Sequence, residues 1–166
     1  MRTERGFTLV ELLVVMSIIT IFCAIATVQW NRLMIKNGIE TQIKTVHADL
    51  MGIRLEALYG KRERSVIVSG KLFKIYSSTV TTVTPLRTTS FKYNFINADG
   101  SASATITFDT SGMANGTQTS LCVDPYGDPT QAIDAAVDSV VVSQARINLG
   151  KRDEGGGCDQ NGIKQR

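Results

Sequence analysis

The run from Phe7 to Val28 is apolar except for the carboxylate of Glu11, and it constrains this chain more than any other feature. As a helix rising 1.5 Å per residue, it would reach about 33 Å, enough to cross a hydrocarbon core of roughly 30 Å. A carboxyl group inside such a span costs about 2.5–3.5 kcal/mol on insertion scales, so it calls for a partner and a purpose. The partner is suggested by the short leader that precedes the run, Met1-Arg-Thr-Glu-Arg-Gly6. A cut at the Gly6–Phe7 junction would give Phe7 a positive amine. Glu11, four residues on, could then neutralise that amine in its own chain or in a neighbour packed beside it.

The residues Gly6-Phe-Thr-Leu-Val-Glu-Leu-Leu-Val-Val15 resemble the class III signal of type IV pilins and type II secretion pseudopilins. The resemblance implies cleavage after Gly6 by a prepilin peptidase on the cytoplasmic side, N-methylation of Phe7 and a role for Glu11 in assembly. One departure is visible: many pilins carry proline where this chain has Val28. Two plainer readings compete. An ordinary secretory signal has a basic start and an apolar centre, and Ala24-Ile-Ala26 offers small residues for cleavage. Glu11 is a poor choice inside such a centre, and the helical pattern continues past Ala26. A generic membrane anchor is the other. Flanking charges do not settle orientation, because Arg2 and Arg5 precede the span and Arg32 and Lys36 follow it.

Beyond the span a second signal takes over. Ile35, Ile39, Ile43, Val46, Leu50, Ile53 and Ala57 recur at helical spacing, with Arg32, Lys36, Glu40, Lys44 and Asp49 off the stripe. Gly60 supplies a stop before Lys61-Arg-Glu-Arg64. One helix is therefore expected from near Phe7 to Tyr59, its later half needing a cover. Strands follow: Ser65–Ser69 and Leu72–Tyr76 joined by a Gly70-Lys71 turn, then Phe91–Phe95 with alternating apolar residues. Asn97-Ala-Asp-Gly100 turns the chain into Ala102–Phe108, and Asp109-Thr-Ser-Gly112 turns it again. Val137–Ser143 is a β-branched run that Arg146–Leu149 would extend. Thr79–Thr89 reads as a connection or an edge strand, and Tyr126–Ala136 as a loop or short helix.

The expected class is α+β, with a long N-terminal helix packed against a C-terminal antiparallel β domain. Its parts are a leader (1–6), a transmembrane half-helix (7–28), an amphipathic half-helix (29–60) and a β-rich head (61–166). This order, with Asp49-Leu-Met-Gly-Ile-Arg-Leu-Glu-Ala57 leading into Val66-Ile-Val68, is similar to the GspH/FimT (FimU) minor-pilin group. The segments Ile106–Gly112, Val140–Ser143 and Arg146-Ile147 resemble that group's later strands. The resemblance implies a minor subunit that helps to initiate or cap a type IV pilus or a type II secretion pseudopilus. It implies an inner-membrane protein with a single pass and a periplasmic head. The implied partners are other pilin or pseudopilin subunits, the prepilin peptidase, the inner-membrane assembly platform and membrane lipid.

Three cysteines divide by location. Cys23 lies in the span and reads as a small packing residue. Cys122 and Cys158 fall in the exported part, where oxidation is permitted, and are the only candidate pair there; two free thiols are the alternative. Neither has a nearby Cys or His, so no metal site is expected from them.

No enzyme signature accompanies the single histidine, His47, which reads as a surface or boundary residue of the helix. There is no phosphate-binding loop and no EF-hand pattern, and no cofactor is implied. Asp99, Asp109, Asp124 and Asp128 sit in turns, where Asp is favoured for its backbone hydrogen bonds. A calcium site among Asp124, Asp128 and Asp134 is the alternative for the last of them. Charge is unevenly placed: from Trp30 to Ala98 there are eleven Lys/Arg against four acids, and from Asp99 to Val140 six acids and no Lys or Arg. Such a dipolar head suits head-to-tail packing, as well as plain solvation. Lys61, Arg62 and Arg64 cluster at the helix end. In the tail, Lys151, Arg152, Lys164 and Arg166 could contact phosphates, which makes a FimT-like DNA receptor the alternative function. Against it, Asp153, Glu154 and Asp159 interrupt those cations.

Overall fold

A computed structural model describes residues 7–116, 118–128, 131, 133–153 and 155–165. Helix α1 runs from Leu9 to Gly60. Among the described residues ten strands follow: β1 Arg64–Ser69, β2 Leu72–Tyr76, β3 Arg87–Ser90, β4 Asn94–Asn97, β5 Ser103–Phe108, β6 Ala114–Asn115, β7 Thr119–Asp124, β8 Ser139–Val142, β9 Ile147–Arg152 and β10 Ile163–Gln165. A 3-10 turn, Gln160–Gly162, leads into β10. The chain divides into two compact units, Met1–Ile35 and Lys36–Arg166. The first is the apolar part of α1. The second holds the rest of α1 and all the strands. The class is α+β, as the order of sequence patterns implies.

In the second unit the apolar stripe is buried as its spacing requires: Ile39, Ile43, Val46, Leu50, Ile53 and Ala57 are all covered. Ile35 is only half-buried. Gln42 joins the buried face, a polar residue that the apolar pattern does not flag. The helix stops one residue later than its glycine suggests. Lys61 has a φ of 47°, and the Arg62 N–H bonds to the Ala57 carbonyl at 3.3 Å, the outer bond of a Schellman turn. Gly60 is thus the last helical residue, and the left-handed position falls on a lysine.

Two five-stranded antiparallel sheets form the head. One has the order β3-β2-β1-β5-β6 and the other β10-β9-β8-β7-β4. The expected β1–β2 hairpin is present, with Ser69 opposite Leu72 and Gly70 at a φ of 56°. The turns at Gly100 and Gly112 also form: each glycine has positive φ, and their N–H groups bond to Asn97 and Asp109 carbonyls at 3.0 and 2.9 Å. Thr79–Thr89 resolves into both readings, a connection up to Leu86 and an edge strand from Arg87.

Two expectations change, and one strand forms that the sequence pattern does not mark. The strand expected at Phe91–Phe95 begins only at Asn94, because the Tyr93 backbone is bonded to the Gln42 side chain instead of a neighbouring strand. Arg146–Leu149 does not extend β8. Ser143 N–H bonds to the Arg146 carbonyl at 2.8 Å, closing a tight turn, and β9 returns antiparallel with Val142 opposite Ile147. β7 has no sequence signal of its own. It is buried on both faces from Ser120 to Asp124, so the alternation that marks a half-buried strand is missing. The described residues between Tyr126 and Ala136 hold no helix.

Gly150 sits mid-strand in β9 for a steric reason. A Cβ there would overlap Ile163 Cγ2 of β10 and lie 2.9 Å from Ser139 Oγ. The missing side chain makes room for Ile163 of the neighbouring strand.

Candidate functional site

The first unit begins with a capped helix. Thr8 Oγ1 accepts the Glu11 N–H at 3.2 Å, and the Thr8 carbonyl accepts the Leu12 N–H at 3.2 Å. Thr8 therefore occupies the N-cap and Glu11 the third helical position. Thr8-Leu-Val-Glu11 is the Ser/Thr-x-x-Glu signature of a helix start, a local signal that the surrounding apolar run masks. A carboxylate in the first turn also complements the positive end of the helix dipole. Phe7 lies just outside the helix, 80% exposed. Gly6 lies outside the described residues.

From Phe7 to Met34 every residue is exposed, including Leu12, Leu13, Ile18, Ile21 and Phe22. α1 is long and apolar enough here to cross a membrane. The polar side chains inside the apolar stretch are satisfied within the helix. Ser17 donates to the Val14 carbonyl at 2.7 Å, Thr20 to Ser17 at 2.8 Å and Thr27 to Cys23 at 2.8 Å. Such local bonds hide hydroxyls from lipid. Glu11 differs: among the described residues its carboxylate has no partner. Trp30, 65% exposed, stands where the apolar stretch gives way to Asn31 and Arg32, a position suited to a membrane–water boundary. Cys23 is a free, exposed thiol.

Cys122 and Cys158 form a disulfide, with Cα atoms 5.8 Å apart. Around it pack Ile96, Val141 and Ile163, and the Ser120 hydroxyl donates to the Cys158 carbonyl. The tail is thereby fastened to the middle of its sheet. His47 is half-buried, with Nε2 3.1 Å from the Ile147 carbonyl, in agreement with a boundary role. The Asp124 carboxylate accepts N–H groups of Tyr126 and Gly127 at 3.1 and 2.9 Å, which is turn formation. Asp124, Asp128 and Asp134 do not converge, since no group of three or more possible metal ligands exists among the described residues. The Asp99 and Asp109 carboxyls are held below the usual range, chiefly by hydrogen bonds from Ser101 and Ser111 respectively. They too shape turns.

The tail cations are largely engaged by the fold itself. Arg152 is buried, donating to the Val123 carbonyl at 2.8 Å and lying 3.6 Å from Asp138, itself buried. Lys151 bonds to the Ile133 carbonyl and lies 3.5 Å from Asp138. Lys164 is exposed but paired to Asp153 at 2.8 Å, which raises its pKa. Arg166 lies outside the described residues. As folded, Arg152 cannot reach a phosphate, so the four candidate DNA contacts do not form one accessible set. Arg64 is likewise engaged, donating to the Ser77 carbonyl at 2.9 Å.

A groove of about 260 Å³ lies between α1 and the β2–β3 side of the head, lined by Asp49, Gly52, Glu56, Ile75, Leu86 and Arg87 among others. Arg87 and Asp49 bridge it at 2.6 Å. Its lining contains no histidine, cysteine or hydroxyl nucleophile.

Residues 1–27 match the prokaryotic N-terminal methylation motif. No curated protein matches this chain significantly. The fold is similar to that of the type IV minor pilin FimU of Pseudomonas aeruginosa strain PAO1 in its P21 crystal form, with a TM-score of 0.51 and 20% identity over 69% of this chain and 89% of FimU. The P65 form gives 0.48 and 24%, over 64% and 87%. The methylation motif thus covers the start of the apolar helix, and the fold is similar to that of FimU.

Proposed function

We propose that this chain is a minor pilin or pseudopilin, cut after Gly6, methylated on the new Phe7 amine and assembled through its apolar helix into a type IV pilus or type II secretion pseudopilus. The observation that carries this reading is the Glu11 carboxylate in the first helical turn, without a partner among the described residues, in an apolar stretch where the hydroxyls of Ser17, Thr20 and Thr27 are bonded within the helix. A group so costly to hold in lipid gains an ionic partner when Phe7 acquires a free amine, in its own chain or in a neighbour. The apolar surface of residues 7–28 then serves twice, first as the inner-membrane anchor and afterwards as the packing surface against other subunits. In this reading the leader faces the cytoplasm, where the prepilin peptidase and the assembly platform act, and the disulfide-bearing head is periplasmic. The Cys122–Cys158 bond supports that placement, because disulfides persist in oxidising compartments.

The fold contributes structure and surface, with no catalytic constellation required. A two-sheet head whose fold is similar to that of the minor pilin FimU supports a minor, tip-proximal position that helps to start or cap the filament. The DNA-receptor alternative draws no favouring observation from the tail, where Arg152 is internal and Lys164 is paired.

Mass spectrometry of the mature N-terminus tests the reading. The expected start is N-methyl-Phe7. A start after Ala26, or an intact leader in assembled filaments, would overturn it. Glu11→Ala should enter the membrane at least as well as the parent and be incorporated poorly; normal incorporation would remove Glu11 from the assembly role.

A further inference from the structure

Gly52, in the groove between α1 and β3, fills no need of the head itself. It lines the groove from the middle of the helix, and a Cβ at this position would meet nothing within 4 Å. Glycine is a poor helix residue, second only to proline, because it loses the most backbone freedom on folding. Gly38, the other glycine inside α1, has a reason, since its Cβ would come within 3.1 Å of the Tyr93 ring. Gly52 has no such neighbour. With Ala48 one turn earlier, it leaves the helix backbone open to close approach.

The sheet leaves the same space unfilled. β3 is the outermost strand of its sheet, four residues long, and among the described residues it pairs with β2 alone. Arg87 stands opposite Ile75 and Thr89 opposite Phe73, so both share the face of those two buried residues. Arg87 reaches Asp49 of α1 at 2.6 Å. Neither Arg87 nor Thr89 is apolar, yet the space of about 260 Å³ is walled by Ile53, Ile75 and Leu86. A further strand beside β3 would take up its free backbone edge and set an inward side chain over Ala48 and Gly52. It would also cover Leu86, which is 61% exposed. The two acids at the rim differ. Asp49 is closed by Arg87, whereas the Glu56 side chain is 62% exposed, with Arg64 Nε at 3.7 Å. Glu56 is the charge open to a cation on an occupant.

We propose that this groove binds an extended segment of a partner protein, added as a sixth strand beside β3. A large apolar side chain of that segment seats against Ala48 and Gly52, and a Lys or Arg two positions on, the next residue of the same face, meets Glu56. Backbone bonds to β3 supply affinity, and the groove and Glu56 select the side chains. An edge covered in this way needs no blunting charge of its own, in keeping with a strand whose one charge, Arg87, is already tied to Asp49. The surface belongs to the head and makes no use of the apolar run or of Glu11.

The test is fluorescence anisotropy with the full-length protein in detergent and a labelled peptide, Thr-Thr-Val-Phe-Val-Lys-Val-Thr-Thr, which places Phe and Lys on one face of a strand. Saturable binding is expected. Gly52→Leu fills the groove and should weaken it by about tenfold or more, the worth of one buried apolar contact. Glu56→Gln should weaken it by about threefold, as should Glu in place of the peptide's Lys. The same peptide with its valines replaced by proline, which cannot join a ladder, should not bind. Glu56→Gln changes an exposed group and reports on the site even where Gly52→Leu impairs folding, which thermal unfolding reveals. Absence of saturable binding would overturn the proposal. So would binding that neither substitution alters or that the proline peptide retains, since that is uptake by the detergent or by another surface.

Discussion

Gln42 and Tyr93, fifty-one positions apart, exchange two hydrogen bonds in the interior of the head: Gln42 Nε2 donates to the Tyr93 carbonyl at 2.9 Å, and the Tyr93 N–H donates to Gln42 Oε1 at 3.1 Å. The carboxamide thus offers the backbone the same donor and acceptor that a neighbouring strand would. Gly38, one turn earlier on α1, leaves room for the Tyr93 ring, since a Cβ there would come within 3.1 Å of it. The helix and the start of β4 are pinned together by this pair.

Gln42→Ala should destabilise the head by about 2–4 kcal/mol, because two buried backbone groups lose their partners. Gln42→Glu separates packing from hydrogen bonding. Its carboxylate would face the Tyr93 carbonyl and disfavour the charged form, so this variant should gain stability as pH falls and the carboxyl protonates. Denaturant unfolding at pH 7 and pH 4.5 checks both; equal stability of Gln42→Ala and the parent would remove the pair from the argument.

Glu40 supplies a pH-dependent contact. Its carboxylate accepts the Ala136 N–H at 2.9 Å, the main cause of its lowered pKa, with help from Lys44 at 3.4 Å. A lowered folded-state pKa means that the stabilisation is present above the ordinary value of 4.5 and is lost as pH falls through the folded value. Glu40→Gln should cost about 1 kcal/mol at pH 7 and progressively less in acid. An unchanged difference between pH 7 and pH 3 would show that the charge is not what matters.

The disulfide closes a loop of 36 positions. In the chain-entropy account its loss should cost about 4 kcal/mol, less any strain relieved. Cys122→Ser with Cys158→Ser should lower the melting temperature markedly, and reductant should lower the parent's alone. If reductant shifts neither protein, the tail is held by β9–β10 pairing and core packing.

Arg152 and Lys164 should behave oppositely. Arg152→Ala strands the buried Asp138 with weaker compensation and should cost about 3–5 kcal/mol. Lys164→Ala touches only an exposed pair and should leave stability nearly unchanged. Duplex DNA should bind weakly to the protein. Micromolar binding near physiological salt, with a salt slope that falls by about 0.9 in Lys164→Ala, would revive the receptor reading.

The sequence by itself determined the parts whose physics is local. Hydropathy and period marked α1 from the span to Ala57, because lipid and a single buried stripe each leave a run of fixed spacing. Gly70, Gly100 and Gly112 marked their turns, because left-handed backbone favours glycine. Gly6, Phe7 and Glu11 stood out because a carboxylate in an apolar run is costly unless a cation meets it. Cys122 and Cys158 stood out as the candidate pair beyond the apolar run, with two free thiols as the alternative, and the pair is formed. What only the tertiary structure decided is where each element finds its partner. β7 is covered on both faces, so its neighbours and not its own pattern make it a strand. β10 has three residues and forms by pairing antiparallel with β9, Gln165 opposite Gly150. Arg152 reads as a surface cation in the chain and is interior in the fold, because Asp138 and the Val123 carbonyl meet it there. Tyr93 leaves the strand that its alternation suggests, because Gln42 reaches its backbone across fifty-one positions. Such choices depend on groups distant in sequence satisfying one another, and no local pattern records them.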